Sequence, residues 1–150
     1  DMIYVVGLPL ETKLLKPYID VNISPFADLI PVYASSRSHS TKIDKSDNRD
    51  LSGLIFTEMP WQLKSKLQNK ALVAQAKKLW PTRTDSLQTI FAMGLDSLAL
   101  VDKISAMQHK TYVRHYGQTG ILQLGSDNIL KRSLIWGKYS RSKVQEIAMD

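Results

Sequence analysis

The chain has 150 residues, 43% of them apolar and 23% charged, a composition that fits one globular domain with a real core. It contains no cysteine, which excludes disulfides, thiolate metal sites and cysteine nucleophiles, and it has no run of 18 apolar residues that would cross a membrane as a helix. The net charge of +6 is uneven: residues 1–102 carry 12 basic and 11 acidic side chains, residues 103–150 carry eight and three.

Residues 2–7, Met-Ile-Tyr-Val-Val-Gly, form a continuous apolar run ending in glycine. That pattern predicts a strand buried on both faces, as in a parallel sheet. The chain opens on Asp1 and enters this strand at once, as expected for a piece of a longer polypeptide whose N-terminal part lies elsewhere. Residues 11–22 read as a helix with Leu14, Leu15, Tyr18 and Ile19 inward and a kink at Pro17. Residues 29–34 give a second apolar strand, completing a βαβ unit. Residues 35–50 are the most polar stretch and predict a loop with at most one short turn; His39 stands there without a second ligand at metal-binding spacing.

Residues 51–57 predict a third strand in parallel with the first two. Residues 62–80 predict one or two helices, with Leu63, Leu67, Leu72, Ala76 and Leu79 inward and Lys66, Lys70, Lys77 and Lys78 outward. Residues 85–109 form the longest periodic segment. Leu87, Phe91, Gly94, Leu98, Val101 and Ser105 share one stripe, widened by Ile90, Leu95 and Ile104, with Thr84 or Asp85 as the cap. An arc this wide predicts an unbroken core helix in which Gly94 admits a close backbone neighbour and Leu98→Ala costs roughly 2–5 kcal/mol. Residues 119–124 and 128–136, separated by Gly125-Ser-Asp127, predict a hairpin, and residues 138–147 the end of an antiparallel meander. The expected organisation is a single fragment over 1–150, with an α/β body over about 1–110 and antiparallel strands over 111–150.

No glycine-rich phosphate loop, Gly-x-Ser-x-Gly elbow or His-Glu-x-x-His pair is present. Ser35, Ser36, Ser38 and Ser40 flank His39 in sequence, but a triad needs convergent geometry, not proximity along the chain. No catalytic residue, metal or cofactor is assigned.

Two stretches carry a resemblance. Phe91-Ala-Met-Gly-Leu-Asp96 is similar to the aromatic-Ala-x-Gly-Tyr-Asp helix of the type I periplasmic-binding-protein superfamily. Gly117-Gln-Thr-Gly120, a hairpin, Lys131-Arg132 and Val144-Gln-Glu-Ile147 resemble its C-terminal ending. Within it, residues 15–20, 32–38 (Val-Tyr-Ala-Ser-Ser-Arg-Ser), 92–96 and 129–132, with Trp136 and Tyr139, resemble the LpoA (LppC) family. The turn at residues 140–143, Ser-Arg-Ser-Lys, departs from the glycine-bearing turn common there. The resemblance implies the parallel-sheet lobe of a type I periplasmic-binding-protein-like α/β fold with an antiparallel C-terminal hairpin region. It further implies a non-enzymatic module of an outer-membrane lipoprotein on the periplasmic side, which binds and activates a class A penicillin-binding protein in peptidoglycan synthesis. Membrane attachment would be only through an N-terminal lipid anchor outside these residues.

A second reading is the solute-binding lobe of a periplasmic receptor for an amino-acid-like ligand. In open α/β sheets ligands sit beyond the carboxyl ends of the strands. There Ser35 and Ser36 are placed to donate to a carboxylate, Arg37 to pair with it, Glu58 to receive an ammonium and Trp61 to cover the cleft. Under the activator reading the basic residues Lys131, Arg132 and Lys138 are the candidate partner surface. No nucleic-acid module is recognisable, and no nucleic-acid partner is expected.

Overall fold

The computed structural model describes residues 1–23, 30–42, 44–141 and 143–148. The chain forms two compact units: Asp1–Glu58 with Trp136–Asp150, and Met59–Ile135.

The first unit begins with β1 (Ile3–Val5), α1 (Pro9–Asn22) and β2 (Val32–Ala34). Pro9 opens α1 where its missing N–H costs nothing, and the Glu11 carboxylate accepts from the Leu8 N–H at 2.7 Å. Pro17 is accommodated inside the helix, which runs on to Asn22. A 3₁₀ turn at Ser36–Ser38 follows β2, then α2 (Lys45–Asp50) and β3 (Ile55–Glu58). β1 pairs with β2 and β2 with β3, both in parallel, with Ile3 opposite Val32 and Ala34 opposite Phe56. The three parallel strands are therefore those expected, although shorter; Leu29, expected in the second, lies outside the described residues.

Three expectations in this unit are corrected. β1 is an edge strand and is not buried on both faces: Val5 is buried, whereas Tyr4 and the flanking Met2 and Val6 are exposed. α1 turns Thr12 and Lys16 inward and leaves Leu14 and Tyr18 exposed. Lys16 is tolerated because its stem lies in the interior while Nζ meets both Asp20 carboxylate oxygens at 2.6 and 2.7 Å and the Ser52 carbonyl at 3.1 Å. The polar loop contains a helix, α2, whose cap is Asp44: its carboxylate accepts from the Asp47 N–H at 2.8 Å.

The second unit comprises α3 (Pro60–Leu63), α4 (Lys70–Leu79), α5 (Asp85–Leu100), α6 (Ile104–His109) and an antiparallel sheet of β4 (Arg114–Tyr116), β5 (Ile121–Leu124) and β6 (Leu130–Ser133). Lys64 at φ 55° ends α3 in the left-handed region, and the Asn69 side chain caps α4. Leu63 and Ala76 are buried as expected, whereas Leu79 is exposed. The predicted long helix breaks over residues 101–103 into α5 and α6. α5 buries Ala92, Asp96 and Leu100 and leaves Leu87, Leu98 and Val101 exposed. Of the expected arc, Phe91 and Leu95 are partly buried and pack against the core cluster, while Leu87, Ile90 and Leu98 face outward. Gly94 has open space where a Cβ would stand, so no close backbone explains it. Leu98 is 73% exposed, so Leu98→Ala opens no core cavity and the expected large cost does not arise. That substitution should now shift the urea unfolding midpoint by no more than about 0.5 kcal/mol of stability, the usual range for a surface site.

The β5–β6 hairpin turns where its Gly-Ser-Asp signal stands, with Asn128 at φ 57° donating to the Gly125 carbonyl at 3.0 Å. The expected strand over 128–136 is two strands. β6 ends at Ser133 in the antiparallel sheet, and β7 (Ile135–Tyr139) returns to the five-stranded sheet, whose order is β1-β2-β3-β7-β8. β7 pairs antiparallel with β8 (Val144–Ile147), which completes the first unit.

Candidate functional site

The carboxyl ends of β1, β2 and β3 lie together in the first unit. The Ser38 hydroxyl donates to the Gly7 carbonyl at 2.9 Å, tying the exit of β1 to the turn after β2. Ser35 and Ser36 are half-buried at that turn, the Ser35 Oγ having no hydrogen-bond partner, and Arg37 is exposed. Glu58 is buried, with His39 Nδ1 2.8 Å from its Oε2. His39 stacks on Phe56 at 4.7 Å between ring centroids, and Tyr139 stands edge-on to it at 6.1 Å. A lone histidine in a polar run is thus a core residue, held by a carboxylate at the end of β3.

Burial, reinforced by the charges of Glu58 and Asp47, pushes the Tyr139 phenol well above the ordinary tyrosine value. The folded state therefore holds this proton when the unfolded chain has lost it. Stability linked to Tyr139 is complete below the ordinary tyrosine value and declines as pH rises above it. In an alkaline ultraviolet titration Tyr139 should be the last of the six tyrosines to ionise, and Tyr139→Phe should remove that final step.

A cavity of about 220 Å³ opens beside these residues, bounded by Pro9, Lys13, Ser38, Ser40, Lys42 and Tyr139. Lys13 pairs there with Asp47, which raises the Lys13 ammonium's affinity for its proton. Trp61, expected over a cleft, is buried in the second unit and packs on Phe91 at 5.6 Å between ring centroids. Lys131 and Arg132 are exposed on β6, Lys131 standing 3.8 Å from Asp127 in a solvent-screened pair. Lys138 is exposed on β7 in the first unit, so the three basic candidates do not belong to one unit. No group of three or more His, Asp or Glu side chains that could hold a metal occurs among the described residues.

The second unit is organised around Asp96. Its buried carboxylate accepts from the Gln118 N–H at 2.7 Å, the Thr119 N–H at 2.8 Å and the Thr119 hydroxyl at 2.6 Å. Gln118 passes the contact on: its carbonyl accepts from the Trp61 N–H at 2.9 Å, and its side chain meets Asn69 N at 2.8 Å and Leu67 O at 3.1 Å. Gly117 is required because a Cβ there would lie 2.4 Å from Asp96 Oδ2. Gly120, at φ 146°, would place a Cβ 2.5 Å from the Ser133 carbonyl. The Gly-x-Thr-Gly and Gly-Leu-Asp motifs are two halves of one hydrogen-bonded lock.

A parallel sheet followed by an antiparallel helix-and-hairpin unit, with the chain returning to the sheet through β7, defines the periplasmic-binding-protein-like class of α/β proteins. The chain belongs to the family described as "LppC putative lipoprotein", whose model matches residues 1–142. It is 32% identical over 144 residues to the penicillin-binding protein activator LpoA of Erwinia tasmaniensis, covering 96% of this chain and 21% of that protein. It superposes on the C-domain of Haemophilus influenzae LpoA, described as a regulator of PBP1A, with a TM-score of 0.78 at 24% identity, covering 97% of this chain and 44% of that one. A leucine-binding protein of Thermotoga maritima shares the fold at a TM-score of 0.56 and 16% identity, over 98% of this chain and 43% of that one. The chain spans about a fifth of the length of the curated relatives it matches.

Proposed function

We propose that this chain is part of a non-enzymatic regulatory module of an envelope lipoprotein, on the periplasmic side of the outer membrane, that binds and activates a class A penicillin-binding protein. Membership of the LppC family over residues 1–142, with relatives named for that activity, is the observation that carries the reading. Activation by binding needs no bond-making groups. A partner that prefers the active conformation of the synthase shifts its population toward turnover by the difference in affinity for the two states.

Glu58 supports the same choice. In the solute-receptor reading this carboxylate receives a ligand ammonium; here it is buried and engaged by His39. Arg37 remains exposed, so it is the residue with which to probe ligand capture. Arg37→Ala should leave affinity for the synthase unchanged. Lys131→Glu combined with Arg132→Glu should weaken it, mainly through a slower association rate, and wild-type binding should fall as salt rises. Surface plasmon resonance against the purified synthase at two ionic strengths measures all three. A binding loss from Arg37→Ala with a silent basic pair would move the working surface to the strand ends.

A further inference from the structure

One short contact in the second unit serves neither the Asp96 lock nor the partner surface. Lys103 Nζ lies 3.0 Å from Nδ1 of His115. Lys103 is the last residue of the turn between α5 and α6 and stands at the start of α6 without capping it through its side chain. His115 is the middle residue of β4, opposite Leu122 of β5. Its second nitrogen, Nε2, is buried and has no hydrogen-bond partner. An ammonium can only donate, so Nδ1 must present a lone pair and the ring proton must sit on Nε2. The contact therefore exists only while the imidazole is neutral. Adding a proton to Nδ1 would set an N–H against an N–H and one positive charge against another.

We propose that Lys103 and His115 form an acid-released latch, which holds the α5–α6 turn against β4 while the ring is neutral and frees it when the ring is protonated. α6 has six residues, too few to persist without tertiary support. Its anchor is Met107, buried with Leu100, Leu122 and Leu124. Freeing the turn loosens that anchor, so the element controlled by the latch is α6 and the apolar cluster beneath it.

The charged groups that act on the ring are Lys103 from the turn and Asp96 from α5; Arg114 neighbours it on β4. Burial, followed by the Lys103 charge, holds the imidazole's proton affinity below the ordinary histidine value, against a smaller opposing pull from Asp96. The sign follows. The unfolded chain takes up this proton first as pH falls, so the latch is intact above the ordinary histidine value. Its contribution drains away between that value and the lower folded one.

The test uses the full chain. The His115 ring is followed by nuclear magnetic resonance across pH in the wild type and in Lys103→Met, with His115→Gln to assign the signal. Hydrogen exchange of amides 104–109, corrected for intrinsic rates, is followed over the same range. Lys103→Met should move the His115 midpoint upward. Acidification should accelerate exchange at 104–109 in the wild type, and His115→Gln should lack that acid step. An unchanged midpoint in Lys103→Met overturns the proposal, and so does an acid step that persists in His115→Gln. If His115→Gln does not fold, the signal is assigned through bonds and the Lys103→Met midpoint decides alone. None of these readouts involves the synthase, so failure of the latch and failure of the activator reading are separable.

Discussion

Asp96→Ala is expected to destabilise the second unit by roughly 3–5 kcal/mol, the cost of stripping a buried charged acceptor from several donors at once. Two backbone N–H groups and the Thr119 hydroxyl would lose their acceptor at a buried position. Gln118 would lose its anchor with them, and through Gln118 the contacts to Trp61, Leu67 and Asn69 would loosen. Asp96→Asn keeps the shape but aims an amide at donors, so it should also destabilise, by less than the alanine. Gly117→Ala should destabilise by a different route, since its methyl collides with the same carboxylate. Urea unfolding followed by tryptophan fluorescence reads the effect, because Trp61 lies in the core cluster of this unit. A midpoint for Asp96→Ala within error of the wild type would remove the lock from the account.

The second large effect is expected in the first unit. Glu58→Ala should cost about 3–5 kcal/mol, as when one partner of a buried pair is removed and the other is left without it. His39 would remain stacked on Phe56 with no carboxylate at Nδ1. Paired replacement of His39 and Glu58 by apolar residues of similar volume should recover much of the loss, because then neither polar group is stranded. A double-mutant cycle on thermal unfolding gives the coupling between them. Additive single-mutant effects would mean that the pair is coincidental. The buried position of Glu58 also means that it cannot be replaced to test ligand binding without disturbing the fold, whereas exposed Arg37 can.

The sequence revealed the sheet better than the helices. Short apolar runs at residues 2–7, 29–34 and 51–57 mark three parallel strands because each is long enough only to cross a sheet. On α5 the apolar periodicity marks only part of the buried face: Phe91 and Leu95 pack on the core, but the fully buried positions are Ala92, Asp96 and Leu100, while Leu87, Ile90 and Leu98 are exposed. Periodicity cannot rank an alanine above a leucine. α2 was hidden by its polarity, although Asp44 followed three residues later by Asp47 is a legible capping signal. The break at Leu134 leaves no mark, since no glycine or proline interrupts residues 128–136; only the sheets that β6 and β7 join separate them.

What the sequence made legible was the placement of Ser35, Ser36, Arg37 and Glu58 near the strand ends. Strand ends put Ser35, Ser36, Arg37 and Glu58 where ligands bind in such folds. His39 could not be matched with Glu58, because the two lie 19 residues apart and meet only after the 3₁₀ turn carries the chain back. Asp96 and Thr119 were visible only as parts of two family-like motifs; that one is the acceptor for the other required the geometry.

Under the proposed function the protein works by contact with a synthase and not by capturing a solute. This reading is tested most directly by the peptidoglycan-synthesis rate of a purified class A penicillin-binding protein, measured with and without the full-length protein that carries this chain. That protein is first unfolded, dialysed and refolded to strip any bound small molecule. The predicted result is stimulation as strong as that given by untreated protein, with no small molecule added. Loss of stimulation after stripping, restored by a low-molecular-weight extract, would contradict the account and make the strand-end site the working one.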